Sequence, residues 1–206
     1  ASATLSMSIP SNLQDSLMAR LDQLTSAKEV AQAGAVIGRE FSHDLVAAIA
    51  GLGEAELSSE LDKLIEAELI FRRGWPPNQV YVFKHALVQD TAYSSLLRDK
   101  RRTLHKAVAI TLEAGIIANS QTEPETLAFH LSECGDEARA SVYWETAARR
   151  SQERLSHTEA AAHFDKALSG VGPDKVRELQ LCLDLIASQR MLGVSEHTLK
   201  TLERAE

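Results

Sequence analysis

The chain has 206 residues, 44% hydrophobic and 25% charged, with a net charge of −7. These values suit one or two folded domains with real cores, and the acid excess argues against a general nucleic-acid or membrane-surface binder. No apolar run approaches the roughly 20 residues of a membrane span, and no signal peptide is visible, so a cytoplasmic location is expected.

Aromatic residues make up only 5% of the chain, and alanine and leucine carry most apolar positions, as packed helices require. Cys134 and Cys182 stand far apart in helical patterns and are read as reduced and structural. The chain starts without methionine in a loose ASATLSMS stretch and stops at Glu206 inside a helical pattern. It is therefore read as a piece of a larger parent.

After Ile9 and Pro10, Ser11 or Asn12 can cap a helix in which Leu13, Leu17, Leu21 and Leu24 recur at helical spacing. A second, alanine-rich helix is predicted over 26–37, closing near Gly38. Phe41 then enters a short helix over 42–50 that ends at Gly51 and Gly53. The next helix, 54–68, puts Leu57, Leu61, Leu64 and Ile65 on one face and acids on the other.

Residues 69–73 and 79–83 alternate like strands around Gly74-Trp75-Pro76-Pro77-Asn78, a connection where proline's missing donor does no harm. The last three of these helices before a hairpin give winged-helix order, with the hairpin as the wing and Trp75 near its tip. The usual occupation of such a domain is DNA. Helix 54–68, which would enter the major groove, carries Glu54, Glu56, Glu60, Asp62, Glu66 and Glu68 against the single base Lys63. DNA affinity depends on neutralising phosphates, so six carboxylates make DNA an unfavoured partner.

Residues 83–93 read FKHALVQDTAY and set His85 at the start of a helix leaving the strand pair. An imidazole donates to phosphate oxygens, and an adjacent polyanion favours its charged form. A helix start adds amides and a positive dipole end, so Lys84 and His85 together would suit one phosphate group. The competing reading is that His85 merely joins wing to helix through a backbone hydrogen bond. Arg98, Lys100, Arg101, Arg102 and Lys106 then cluster around a long helix from 100 to about 118. They are read as a solvated face pairing with Asp99 and Glu113, the alternative being contact with a missing domain or its ligand, with Tyr93, Leu96, Leu97, Leu104 and Val108 as core.

From Glu123 the pattern changes to helix pairs with small residues where helices cross. Ala128 and Leu131, then Ala140, Trp144 and Ala147, keep the spacing of tetratricopeptide repeats, and Ala160, Phe164 and Ala167 repeat the second half. The helix 137–154 must serve two neighbouring pairs, and 175–192 with 195–206 supplies another pair beyond Pro173. His130, Glu133, Cys134, His157 and His163 lack the close, convergent spacing of zinc ligands, so no metal site is assigned. No glycine stands in the G-x-x-x-x-G-K-[ST] pattern of a phosphate loop; Gly34 and Gly38 lie too close together, in an apolar helical run.

The segments IPSNLQDSLMARLDQL, AGAVIGREF, LIEAELIFRRG and, most specifically, YVFKHALVQDTAYSSLLRDKRRTLHKAVA resemble the winged-helix and adjoining region of STAND-type signalling ATPases. The resemblance runs over about residues 9–168 and looks closest to the branch often fused to class III adenylate or guanylate cyclase domains or to transcriptional output domains. It implies a mainly α chain: a winged-helix domain with one β-hairpin over 9–98, a connecting helix over 99–122, and tetratricopeptide-like repeats over 123–206.

The resemblance further implies a partner P-loop ATPase domain upstream in the parent, holding ADP or ATP with Mg. In that family a histidine at this point contacts the nucleotide phosphates and helps lock the inactive state. The Met-His-Asp motif of plant and animal relatives reads Lys84, His85 and Ala86 here, so only the histidine is kept. The repeats would sense a protein or small-molecule inducer. No catalytic residue and no cofactor are assigned to the fragment itself. The alternatives are a protein-binding scaffold using the repeats and Trp75, and a DNA-binding regulator.

Overall fold

The computed structural model describes residues 11–75, 78–115 and 123–193. These form ten helices and three short strands, a mainly α fold. The chain divides into two compact units, residues 1–111 and 112–206.

The first unit opens with α1 (Ser11–Asp22) and α2 (Ser26–Ile37). It continues through β1 (Glu40–Ser42), α3 (His43–Ala50), α4 (Glu54–Glu66), β2 (Ile70–Arg73), β3 (Val80–Phe83) and α5 (Ala86–Ser94). The helix α6 (Arg98–Glu113) follows, and the division between units falls inside its last turn. Leu21, Val30, Val46, Leu57, Leu61 and Leu64 from four helices meet Phe41, Ile70, Tyr81 and Phe83 from the strands in one core. Helix α2 is the hub, packing on α3, α4 and α5, because its alanines and Gly34 let neighbours approach closely.

The antiparallel sheet has the order β1-β3-β2. One hairpin was expected; β1 is a third strand, pairing Phe41 with Tyr81 on β3. Phe41 therefore lies in the sheet rather than opening the short helix. Three residues with one inward side chain are too few to show alternation, and the strand exists only because β3 offers it a ladder. Ser42, in extended conformation, then caps α3 by accepting from the Leu45 amide at 3.2 Å. At the other end Gly51 takes the left-handed conformation that glycine adopts at least cost.

Helix α4 stops at Glu66, two residues short of the expected end, because Glu68 turns to φ 57° and the Leu69 amide reaches back to Leu64 O at 3.0 Å. That closure aims the chain into β2.

The second unit contains α7 (Pro124–Cys134), α8 (Glu137–Glu153), α9 (His157–Ser169) and α10 (Lys175–Met191). Helix α8 packs against both α7 and α9, and α9 against α10, so α8 serves two neighbours as its length suggests. Ala128, Ala140, Ala147, Ala160 and Ala167 are buried at the crossings, with Trp144 and Phe164 between them. Gly170 sits against the α8 start: a Cβ there would lie 2.1 Å from Glu137 O.

Polar side chains tie α10 to α8. Arg177 donates to Glu145 Oε2 at 3.2 Å and to Ser141 Oγ at 3.1 Å, and Gln152 donates to Ser188 Oγ at 2.9 Å. Ser141 and Ser188 are buried, and buried hydroxyls require such partners. Both cysteines are thiols rather than a disulfide, and Cys134 Sγ donates to Leu131 O at 3.2 Å. Pro76, Pro77, the stretch 116–118 and the expected helix 195–206 lie outside the described residues.

Candidate functional site

The joint between β3 and α5 holds the two residues singled out for an anion. His85 is the residue before the first turn of α5, with extended backbone at φ −134° and ψ 144°, and its side chain makes no capping bond. Its carbonyl accepts the Val88 amide at 3.0 Å, while the imidazole is exposed. The Val88 amide of the first turn is thus engaged, and the helix start forms the positive end of its dipole.

Lys84 anchors the joint from the other side. Its amide donates to Leu69 O at 3.0 Å, fixing the chain next to β2. Its ammonium stands 3.3 Å from Glu68 Oε1, a carboxylate whose side chain is 75% exposed. An exposed pair of this kind contributes about 0–1 kcal/mol, so a phosphate could draw the lysine away.

Helix α5 is itself held firmly, which sets the position of His85. Val88, Thr91 and Ala92 are buried beneath it. Gln89 donates to Ala35 O at 3.3 Å, and Gln32 of α2 donates to Ser95 Oγ at 2.8 Å. Lys84 and His85 are thus consecutive residues at the β3–α5 joint, the lysine paired with Glu68 and the imidazole exposed.

The basic cluster is partly engaged within its own unit. Lys100 pairs with Glu29 at 3.2 Å, and the Arg101 guanidinium lies 5.1 Å from the Tyr93 ring centre. Glu113, an expected partner of the cluster, instead pairs with Arg139 and accepts from Tyr143 at 2.9 Å; that carboxylate, after burial, keeps the Tyr143 hydroxyl above its usual pKa. Leu97, expected in the core, is 79% exposed because the chain turns between α5 and α6 there. His105 is fully buried, with Nε2 3.1 Å from the Tyr93 hydroxyl.

The outer face of α4 carries Glu54, Glu56, Asp62 and Glu66, all exposed. Its one base is committed: Lys63 donates to the buried Glu60 at 2.8 Å, and that bond holds the Glu60 carboxyl below its usual pKa against the opposing effect of burial. The face presents carboxylates where a duplex would need cations.

Other candidate residues serve packing. A Cβ on Gly34 would stand 2.6 Å from the Phe41 ring, so this glycine makes room for an aromatic rather than a phosphate. His130 is buried, and the His163 ring lies 5.3 Å from the Trp144 ring. Among the described residues no His, Cys, Asp or Glu group could hold a metal ion. None of the described helices is long and apolar enough to cross a membrane.

The sequence reading missed a groove in the second unit, where Lys166 lies over Trp144. The sequence presents Trp144 as a packing aromatic, and the signal, a lysine two residues after Phe164 on the neighbouring helix, is visible only once α8 and α9 are side by side.

No protein-family model matches the chain, and no solved structure matches it at a significant level. The chain is 31% identical over 174 residues to an uncharacterized protein of Rhizobium meliloti (strain 1021). The match covers 83% of this chain and 17% of that protein, so the chain spans about a sixth of the relative it matches.

Proposed function

We propose that this chain is the regulatory arm of a STAND-type signalling ATPase, of the kind found joined to a nucleotide cyclase. The first unit acts as a winged helix that closes on ADP held with Mg by an upstream P-loop domain. The second unit, as tetratricopeptide-like repeats, receives a protein or small-molecule inducer. In this reading the chain carries no catalytic residue.

The observation that carries the reading is the placement of His85: exposed, uncapped and at the N-terminus of a helix, with Lys84 next to it in a weak surface pair. The order helix, strand, helix, helix, strand, strand from α2 to β3, closed by the sheet β1-β3-β2, supports the winged helix. Stacked α7 to α10 with buried alanines at their crossings support the repeats. The acidic α4 face weighs against a DNA-binding regulator. Similarity to a segment of a much longer protein is consistent with an arm of a multidomain parent.

An inducer can release the arm only if it binds the open state better than the closed one. The test is nucleotide content: express the parent with its upstream segment, as wild type and as His85→Ala, and identify the released nucleotide by chromatography. ADP that is lost or exchanges faster in the variant supports the latch. A nucleotide-free parent overturns it in favour of a protein-binding scaffold, and equal ADP retention by both removes His85 from the mechanism.

A further inference from the structure

We infer that the groove over Trp144 in the second unit is a receiving site for an arginine side chain of a basic peptide, with Lys166 as its internal occupant. The groove, about 410 Å³, is walled by Phe129, Glu133 and Glu137 as well as Trp144 and Lys166. Trp144 Nε1 donates to Ser132 Oγ at 3.1 Å, which fixes the plane of the indole. The Lys166 ammonium lies 4.1 Å from the indole ring centre, so this ring already accepts a cation.

The hold on Lys166 is weak. Its side chain is exposed, and a cation over an aromatic face at an exposed site gains only about 0.5–1 kcal/mol. Trp144 is 5% exposed with Lys166 in place, so a cation entering from outside meets the ring only by displacing Lys166, between Phe129 and two carboxylates. A carboxylate ligand would meet Glu133 and Glu137 as repulsion, with Lys166 alone in its favour.

Arginine suits the groove better than lysine. Its guanidinium is planar, stacks on aromatic faces, is weakly hydrated and pairs with carboxylates in a fork. His163, whose ring lies beside that of Trp144, adds no opposing charge at neutral pH, because burial first and Lys166 second push its pKa down. The net charge of −7 favours the approach of a basic partner.

This inference deepens the part of the proposed function that gives the second unit a ligand, and it is tested without nucleotide, so its failure leaves the His85 latch standing. The chain has two tryptophans. In a Trp75→Phe background, excited beyond tyrosine absorption, Trp144 is the one emitting indole, and the 206-residue chain is titrated with capped glycyl-arginyl-glycine and with its neutral citrulline counterpart. The expected result is a saturable change with arginine and at least about tenfold weaker binding of citrulline. Lys166→Met, a change at an exposed position checked for an unchanged far-ultraviolet circular dichroism spectrum, should tighten arginine binding about two- to fivefold by removing the competitor. The double variant Glu133→Gln with Glu137→Gln should weaken it. Equal responses to the two peptides, or no saturable response in either the Trp75→Phe chain or its Lys166→Met variant, overturn the assignment.

Discussion

A Cβ on Gly34 of α2 would stand 2.6 Å from Cε1 of Phe41 on β1. That ring cannot easily retreat: it is 2% exposed and lies 5.7 Å from the Tyr81 ring and 5.5 Å from the Phe83 ring. Gly34→Ala gains up to about 1 kcal/mol in helix propensity but overpacks at a cost of about 1–3 kcal/mol. The expected outcome is a net loss of stability, read as faster amide hydrogen exchange along α2. Slower exchange would mean that the aromatic trio shifts freely.

Gly170→Ala meets a harder wall. The new Cβ would lie 2.1 Å from the backbone oxygen of Glu137, and a backbone group moves only if α8 and α9 separate. The loss should reach about 3 kcal/mol, the upper part of the range for overpacked sites. In a Trp75→Phe background the thermal midpoint followed by Trp144 fluorescence should fall clearly, and an unchanged midpoint would contradict the close approach.

Leu96 and Leu97 are adjacent, yet they should respond oppositely. Leu96 is 5% exposed and Leu97 is 79% exposed. Leu96→Ala leaves a cavity and should cost about 2–5 kcal/mol, whereas Leu97→Ala should stay within about 0.5 kcal/mol of wild type. Urea unfolding of both variants checks the contrast.

The second unit should lose stability as pH falls through the ordinary histidine range. Burial, then Lys166, lowers the His163 pKa below its unfolded value near 6.5, so the unfolded chain binds the proton first and stability rises with pH. The His163 contribution is fully present above the unfolded pKa and declines below it. Thermal melts from pH 7.5 to 5 should show a steeper fall in wild type than in His163→Gln, and parallel curves would count against it.

Much of the helical order was legible because leucine and alanine spacing, glycine stops and capping residues are local signals. The bounds of α2 were read residue for residue, and the two hairpin strands nearly so. The Ala140, Trp144, Ala147 and Ala160, Phe164, Ala167 sets, read from repeat-like spacing, are buried. The candidate site was legible as a neighbouring pair, Lys84 and His85, because a histidine between a strand and a helix is a feature of sequence order.

Tertiary structure decided the rest, since it depends on partners far along the chain. The strand β1 exists because residues 80–82 lie alongside it, and Glu113 finds Arg139 rather than the basic cluster near it in sequence. Gly34 and Gly170 are required by what each faces across a helix contact, which no local pattern encodes. The groove over Trp144 arises only where α7, α8 and α9 converge. Sequence by itself set which segments become helices and which faces are apolar, because those depend on residues a few positions apart; three-dimensional packing set which faces and charges meet.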